Sequence, residues 1–488
     1  MSTREIDGKF SIQSLRDSHF WWLALPFIGL ILWGALCLTN NLWYDEAYSA
    51  ALISNSWTDM VRITAADAHS PFYYALLKAV YHLAGGGTIF WPLKMLSLLF
   101  MFGYLLLGKY YVKKLFDEKT AVFFMAFSIM MPIMTVQAGN VRMYAASLFF
   151  MTLTGLSAYD IYREENRKKW IIFCIGSICT VYCHTFSMIQ TVFYYIIFIL
   201  ALLCSKQYKK LKGVIISGVI VAVIYLPWLV ITWMQMQSRV ASNNTSEIPT
   251  VYSFMDYCME WFSALESPVS IVVFTGMAIT VFLGYYAVDR MRSHKKYLPG
   301  LGMAALGLTA ITGVMISLYI TPSFMGRYIF SGFGALALTY AVGMRQIGSV
   351  KIKLGVFAAM LFCFLIQYKS ELQLEYDNGL DAYHAFLSES VTDSDCMMGP
   401  SEHTLMLSIY QTQIRYFLYG HLPERSPFLN TEAFTRWEQL EEIEGNIWYI
   451  CFQGDSPHLL SEVYSYEEVL SFHYMYYDFV VYQLIPWP

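Results

Sequence analysis

Long apolar runs, separated by short polar segments, fill the first three quarters of the chain. A helix needs about 17–25 mainly apolar residues to cross the hydrocarbon core of a bilayer, and eleven runs meet this requirement. They cover residues 20–39, 88–107, 120–137, 143–162, 170–185, 187–204, 213–234, 268–288, 298–320, 326–344 and 352–368. The pattern predicts a polytopic α-helical membrane protein, with a transmembrane domain at residues 1–368.

The pattern changes after residue 368, where the apolar segments become short. A helical stretch near 378–391 is followed by predicted strands and short helical pieces in alternation. The strands are predicted at 395–399, 414–419, 447–452 and 478–485, and the helical pieces near 402–411, 432–443 and 457–463. Such alternation is typical of an α/β unit. We therefore expect a small C-terminal α/β domain at residues 369–488.

Composition and charge agree with a membrane protein and predict its orientation. Hydrophobic residues make up 57% of the chain and charged residues 14%, and the mean hydropathy is +0.44. These values lie outside the range of ordinary soluble proteins. Of the 32 Lys and Arg residues, 22 lie in the N-terminal tail and in five segments between predicted spans. By the positive-inside rule these segments face the cytoplasm. The expected location is the cell membrane, with the N-terminus cytoplasmic.

This orientation places the external loops 40–87 and 235–267 and the C-terminal domain outside the cytoplasm. It also decides an ambiguous segment, residues 70–84, which is nearly long enough to span. Counting that segment as a crossing would put every later Lys cluster outside, so it is expected to lie in the outer interface as an amphipathic helix. The C-terminal domain is strongly acidic. It therefore lacks the basic surface of a nucleic-acid-binding protein.

Nine cysteines give little information about chemistry. Cys174, Cys179 and Cys183 have helical spacing but no flanking ligand set, so the sequence predicts no metal site there. Cys396 and Cys451 both fall in the predicted external domain. Whether these two cysteines pair is left open.

The first external loop holds the most concentrated candidate chemistry. Asp45 and Glu46 follow the first span directly, and Asp67 and His69 come later in the same loop. A pair of acids near a low-dielectric surface tends to hold one pKa up, which suits a general base near neutral pH. The alternative is that these acids only cap the helices that follow them.

Three further ionisable side chains are predicted at the outer ends of later spans. Arg142, His184 and Arg327 lie there, and Tyr328 follows Arg327. An arginine at a membrane boundary can simply extend its charge to the interface. However, the forked donors of a guanidinium also match the oxygens of a phosphate. Together with Asp45, these residues indicate an anion site beside a carboxylate base.

The order of these segments resembles the integral-membrane glycosyltransferases of the GT-C fold, in the branch related to protein O-mannosyltransferases and lipid A aminoarabinose transferases. That branch has an Asp-Glu step, Asp-x-His-Pro-Pro-x-Tyr-Tyr, Arg-Met-Tyr, a Thr-His or similar element and Arg-Tyr. This chain carries, in that order, Asp45-Glu46, Asp67 to Tyr74, Arg142-Met143-Tyr144, Cys183-His184-Thr185 and Arg327-Tyr328. Ser70 replaces the first proline of the second motif. The resemblance covers about residues 20–345.

The resemblance implies a transferase with a polyprenyl-phosphate-linked sugar as donor and a hydroxyl acceptor. Asp45 would be the general base of an inverting reaction, with Glu46 and Asp67 orienting the acceptor or assisting the charge. The donor phosphate would be held by Arg142, Arg327, Tyr328 and His69, and Tyr73, Tyr144 and His184 would be pocket residues. No essential cofactor or metal is expected, although these oxygen and nitrogen groups could hold a divalent ion.

Substrate identity stays open at this point. The sugar could be a hexose or a pentose, and the acceptor a cell-envelope glycan, a glycolipid or a protein. The main alternative function is a transporter or flippase of a lipid-linked or anionic solute, because charges within the membrane also mark translocation paths. Against a transporter, the ionisable residues cluster at the outer boundary and not at mid-span.

Overall fold

A computed structural model describes residues 18–67, 69–241, 270–294, 298–419 and 426–487. Among the described residues, sixteen α-helices of seven or more residues precede the first strand. They are α1 Ser18–Ala35, α2 Tyr44–Ser54, α3 Trp57–Ala66, α4 Pro71–Leu83, α5 Trp91–Leu106, α6 Glu118–Met130, α7 Pro132–Ala138, α8 Tyr144–Arg163, α9 Arg167–Val181, α10 Thr185–Cys204, α11 Tyr208–Ala241, α12 Ser270–His294, α13 Leu298–Tyr319, α14 Phe333–Gln346, α15 Val350–Tyr376 and α16 Leu380–Ser390. The eleven predicted spans therefore each coincide with a helix or a helix pair.

Among the described residues, seven helices are long and apolar enough to cross a membrane. They are α1, α5 with its continuation to Leu115, α10, α11, α12, α13, and α15 with α16. Helices α6 and α7 together form an eighth candidate, bent by 71°. Helices α8, α9 and α14 do not qualify, since α9 and α14 have only 15 and 14 residues. The prediction of a polytopic α-helical membrane protein is confirmed.

The predicted interfacial segment 70–84 forms α4, a helix of 13 residues. Helix α4 begins with Pro71 at its first position, where a missing backbone N–H costs nothing. It packs against α2, α3 and α5 and is not among the membrane-span candidates of the described chain. Helix α11 continues into the predicted external loop 235–267 as far as Ala241, and most of that loop lies outside the described residues.

The C-terminal domain is built on a six-stranded sheet. Its strands are β1 Cys396–Gly399, β2 Arg415–Tyr419, β3 Thr431–Phe434, β4 Ile447–Phe452, β5 Tyr464–Tyr474 and β6 Tyr477–Pro486, in the order β3-β2-β1-β4-β6-β5. The first four are parallel, and β6 and β5 are antiparallel additions. A short helix, α17 Glu438–Glu441, lies between β3 and β4. The predicted α/β domain is confirmed.

Two strands, β3 and β5, were not predicted from the sequence. Residues 464–474 carry many polar side chains, because one face of β5 is open to solvent. Residues 432–434 at the sheet edge belong to the predicted helical piece 432–443 but pair with β2 as part of β3. Cys396 and Cys451 lie on neighbouring strands as free thiols. Helix α15 continues past the predicted domain boundary at 368 to Tyr376.

Hydrogen bonds fix the C-terminal domain to the first external loop. The Tyr474 hydroxyl accepts from the backbone N–H of Leu42 at 2.9 Å and lies 2.9 Å from the carbonyl oxygen of the same residue. The Asn55 side chain donates to the carbonyl of Pro427 at 2.8 Å. One apolar core runs through both domains. The domain is therefore packed directly over the segment that carries Asp45.

A test of helix packing is offered by Gly343, where α14 meets α12. A Cβ atom at this position would collide with the backbone carbonyl of Leu283, and backbone cannot move aside as a side chain can. We expect Gly343→Ala to destabilise the protein by about 1–3 kcal/mol, seen as a lower Tm in detergent. Gly355→Ala is the control, because a Cβ there meets nothing within 4 Å. Equal Tm values for both variants would contradict this close packing.

Candidate functional site

Helix α2 presents Asp45 and Glu46 in its first turn, directly after the first span. The Glu46 carboxylate turns back to accept from the backbone N–H of Trp43 at 3.2 Å, which supplies an acceptor for this backbone donor at the start of the helix. Its other oxygen accepts from the backbone N–H of Val141 at 2.8 Å. Glu46 thus joins the start of α2 to the segment that carries Arg142.

Glu46 is 3% exposed, and this burial controls its protonation. Removal from water raises the pKa of its carboxyl to about 7, against the lowering effects of Lys94 and of the two backbone donors. Glu46 borders a small polar cavity of about 240 Å³ that also contains Glu371 and Glu375. Arg327 lines both this cavity and the larger one that contains Asp45.

Asp45 lies in the larger cavity and faces a cation. Its Oδ2 atom is 3.4 Å from Nη2 of Arg327. The Oδ1 atom has no hydrogen-bond partner within the described part of the chain. The Asp45 side chain is 21% exposed and that of Arg327 23% exposed, so both groups can be reached from the cavity.

Arg142 is almost fully buried, at 4% exposure, and connects three segments of the site. Its Nη1 atom lies 3.2 Å from the carbonyl oxygen of Asp45, 3.3 Å from Oγ of Ser49 and 3.3 Å from the hydroxyl of Tyr74. Its Nη2 atom lies 2.7 Å from Nε2 of His69. Within the described chain, Nε of Arg142 has no acceptor. Arg142 therefore uses most of its donors to assemble the site.

The contact with Arg142 fixes the proton on His69. An arginine nitrogen only donates, so Nε2 of His69 accepts and the ring proton is on Nδ1, which leaves this histidine neutral. Asp67 is 3.8 Å from the same Nε2 atom and also accepts a hydrogen bond from the hydroxyl of Tyr48. His69 thus positions Arg142 and adds no positive charge of its own.

The rings of His184 and Tyr328 are in contact beside the cavity, with centroids 4.7 Å apart and a tilt of 48° between their planes. His184 also caps α10, since its Nδ1 accepts from the backbone N–H of Phe186 at 3.2 Å. Tyr328 lines the cavity of Asp45, whereas His184 lines a neighbouring space of about 110 Å³. His69 and Tyr328 border both spaces.

The three tyrosines near the motifs have different environments. Tyr73 is fully buried and its hydroxyl lies 3.0 Å from Oγ of Ser97, so it is not in the cavity wall. Its neighbour Tyr74, which the sequence reasoning passed over, contacts Arg142. Tyr144 is 2% exposed and its hydroxyl has no hydrogen-bond partner in the described chain. The charges of Arg327, Arg142 and Asp45 act on this hydroxyl.

The cavity that contains Asp45 has a volume of about 650 Å³ and is bordered by both domains. The predicted site residues in its wall are Asp45, Asp67, His69, Arg142, Arg327 and Tyr328. The C-terminal domain adds Glu402, Leu405, Ser426, Pro427 and Phe428. No motif indicated these last residues, because they belong to a separate predicted unit. Among the described residues, no group of three or more His, Cys, Asp or Glu side chains could hold a metal ion.

Comparison with solved structures identifies the fold of this arrangement. ArnT from Cupriavidus metallidurans in the apo state aligns with a TM-score of 0.67 at 12% identity, over 95% of this chain and 98% of that protein. ArnT bound to undecaprenyl phosphate aligns with a TM-score of 0.63 at 12% identity, over 94% and 98%. ArnT, a lipid A aminoarabinose transferase, is a membrane glycosyltransferase of the GT-C fold.

This chain has a GT-C fold.

The expectation of this fold is therefore confirmed over nearly the whole chain, including the C-terminal domain. AglB from Archaeoglobus fulgidus, an oligosaccharyltransferase in complex with an inhibitory peptide and a dolichol-phosphate, aligns with a TM-score of 0.48 at 13% identity, over 92% of this chain and 73% of that one. No protein-family model matches the sequence, and no curated protein sequence matches it. The likeness is thus one of fold.

The buried carboxyl of Glu46 gives this GT-C chain a specific pH dependence. Its pKa in the fold, about 7, lies above that of an exposed glutamate, so the folded state holds the proton more tightly. The contribution of this protonation to folding stability is therefore fully present at a pH below the pKa of Glu46 in the unfolded chain. It is lost as the pH rises through the folded-state pKa of about 7. We expect the wild type to lose up to about 3 kcal/mol more than Glu46→Gln between pH 4.5 and 7.5.

This difference is measured as Tm against pH in detergent. Glu46→Gln also loses one acceptor for the backbone donors, which can lower its Tm at neutral pH. The readout is therefore the slope of Tm against pH and not the absolute Tm. Glu389→Gln is the control, because Glu389 is exposed and its loss should leave the slope unchanged. Parallel curves for the wild type and Glu46→Gln would show that Glu46 does not titrate in this range.

Proposed function

We propose that this protein is an inverting glycosyltransferase that moves a sugar from a polyprenyl-phosphate-linked donor to a hydroxyl acceptor at the outer membrane face. The observation that carries the proposal is the pairing of Asp45 with Arg327, 3.4 Å apart in a cavity between the two domains. A carboxylate base and a forked cation are the two groups that such a transfer needs.

The proposed reaction is a single displacement. Asp45 takes the proton from the acceptor hydroxyl while the acceptor oxygen attacks the anomeric carbon of the donor sugar. The new carbon–oxygen bond forms as the bond from that carbon to the phosphate oxygen breaks, with inversion at the anomeric centre. The polyprenyl phosphate leaves with the bonding electron pair, and the proton remains on Asp45 until it passes to solvent. The Oδ1 atom of Asp45, which has no partner among the described residues, suits it for this task.

Arg327 is the proposed principal partner of the leaving phosphate. Its guanidinium is partly exposed in the cavity and lies 5.4 Å from the ring centroid of Trp43, over the ring face, which fixes its orientation. The hydrogen bonds of Arg142 are mostly made to groups of the protein itself. Its proposed contribution is therefore the positive charge that it places behind the phosphate. Tyr328 borders the same space. With two cations available, we propose that the chemistry needs no essential metal.

The C-terminal domain is proposed to select the acceptor. Glu402 borders the cavity, and its carboxylate lies 3.5 Å from the hydroxyl of Tyr44. Phe428 faces the rings of Tyr44 and Tyr48. These side chains could receive the hydroxyls and the apolar ring face of a sugar. The acceptor is therefore proposed to be a glycan, a glycolipid or a glycosylatable protein of the cell envelope, with a hexose or pentose as the transferred sugar.

The proposed base is tested with Asp45→Asn, which keeps the size of the side chain and removes its basicity. We expect turnover of a radiolabelled polyprenyl-phosphate sugar in proteoliposomes to fall by about 10²–10⁴-fold, with donor binding changed less than about twofold. Asp59→Asn is the matched control, since Asp59 is a half-exposed carboxylate on α3 outside the cavity. Equal turnover by the wild type and Asp45→Asn would reject Asp45 as the base.

The proposed phosphate site is tested with Arg327→Gln. Loss of a charge-assisted hydrogen bond to phosphate should weaken donor binding by about 10–100-fold, measured with the polyprenyl phosphate itself in competition. Arg327→Lys keeps the charge but not the fork and should recover part of the affinity. Arg62→Gln, at an arginine whose side chain is 65% exposed, is the control. Unchanged donor affinity in Arg327→Gln would place the phosphate elsewhere.

A further inference from the structure

A further, apolar groove runs along α1 and has its polar mouth at the opposite end of that helix from Asp45. It runs between α1, α6 and α15 and has a volume of about 740 Å³. Its walls are aliphatic and aromatic, including Trp21, Phe123 and Phe357. Leu354 and Leu361 at its edge are 63% and 46% exposed, so the groove opens toward the lipid. Nothing in the proposed reaction uses this space.

Two lysines stand at the mouth of the groove without a counter-ion. Lys119 is in the first turn of α6 and Lys353 in the first turn of α15, and both line the groove. Within the described chain neither forms an ion pair. Their acidic neighbours are engaged elsewhere, since Asp117 pairs with Arg345 at 3.5 Å and Glu118 with Lys113 at 2.7 Å. The charge of Arg345 also acts on Lys353, so the mouth is positive.

The length of the groove matches one leaflet of a bilayer. Its lining on α1 extends from Ser18 to Leu32, a helical rise of about 21 Å. Half of a bilayer, with its headgroup region, measures about 20–22 Å, so one acyl chain can lie along α1 while its headgroup remains at the surface. The Nζ atom of Lys353 lies 5.7 Å from the ring centroid of Phe123, directly between the polar mouth and the apolar wall.

We propose that this groove is a binding site for one anionic diacyl phospholipid. Its phosphate would contact Lys119 and Lys353, and an acyl chain would fill the space between α1, α6 and α15. Charge complementarity selects this occupant, because a zwitterionic lipid would leave the two lysines without a net counter-charge. The surface concerned is the one that the distribution of Lys and Arg predicts to be cytoplasmic. This proposal is independent of the proposed transferase activity.

Native mass spectrometry of the full chain in detergent tests the site. The protein is supplied with phosphatidylglycerol or with phosphatidylcholine of the same acyl chains. We expect the wild type to retain one phosphatidylglycerol and to prefer it over phosphatidylcholine. The double variant Lys119→Ala with Lys353→Ala should lower this retention by about 10–30-fold. Lys351→Ala is the matched control, because Lys351 is exposed on the same helix outside the groove.

Two further variants distinguish a loss of lipid binding from a loss of folding. The double variant Lys119→Arg with Lys353→Arg keeps both charges and should retain the lipid, whereas Ala126→Trp should fill the apolar wall and exclude it. Equal retention of phosphatidylglycerol by the wild type and the double alanine variant would overturn the proposal. So would equal retention of the two lipids by the wild type. Retention that appears only after deletion of residues 2–16 would assign the groove to that segment and also overturn it.

Discussion

A buried guanidinium needs hydrogen-bond acceptors, and the site is organised around those that the Nη1 and Nη2 atoms of Arg142 find. Leaving such a charge unpaired away from water would cost several kcal/mol, so acceptors from separate segments have to converge on it. They come from α2, through the Asp45 carbonyl and Ser49, from α4, through Tyr74, and from the segment between α3 and α4, through His69. The hydrogen bonds of one buried cation therefore fix the position of Asp45.

The neighbouring acids Asp45 and Glu46 lie in different environments because successive residues of a helix point about 100° apart. One carboxylate faces the cavity and Arg327, while the other is buried and accepts the backbone donors of Trp43 and Val141. Val141 directly precedes Arg142, so the buried acid sets the distance between α2 and the arginine. Glu46, which is buried, can thus control the position of Asp45, the acid that is proposed to contact the substrate.

Periodicity and motif order predict the helices and most of the cavity wall, because both are local properties of the sequence. They do not predict that Tyr74 and not Tyr73 contacts Arg142, since two adjacent tyrosines on an unseen helix are equivalent until its rotation is known. They also do not predict Glu402 and Phe428, which reach the site only through docking of a separate domain. Likewise, β5 was missed because its polar solvent-facing positions weaken the apolar signal of a strand.

The docked C-terminal domain contacts the segment that leads to Asp45. The Tyr474 hydroxyl contacts both backbone groups of Leu42, the residue that precedes Trp43, which caps α2. An ion pair at 2.7 Å joins Lys94 on α5 to Glu375 on α15, and the Asn41 side chain donates to the backbone carbonyl of Glu375 at 2.6 Å. The C-terminal domain and the helices α5 and α15 therefore fix the start of α2 from two sides. Asp45 lies two residues after Trp43. The C-terminal domain is for this reason a structural part of the cavity, because the position of Asp45 depends on its contacts.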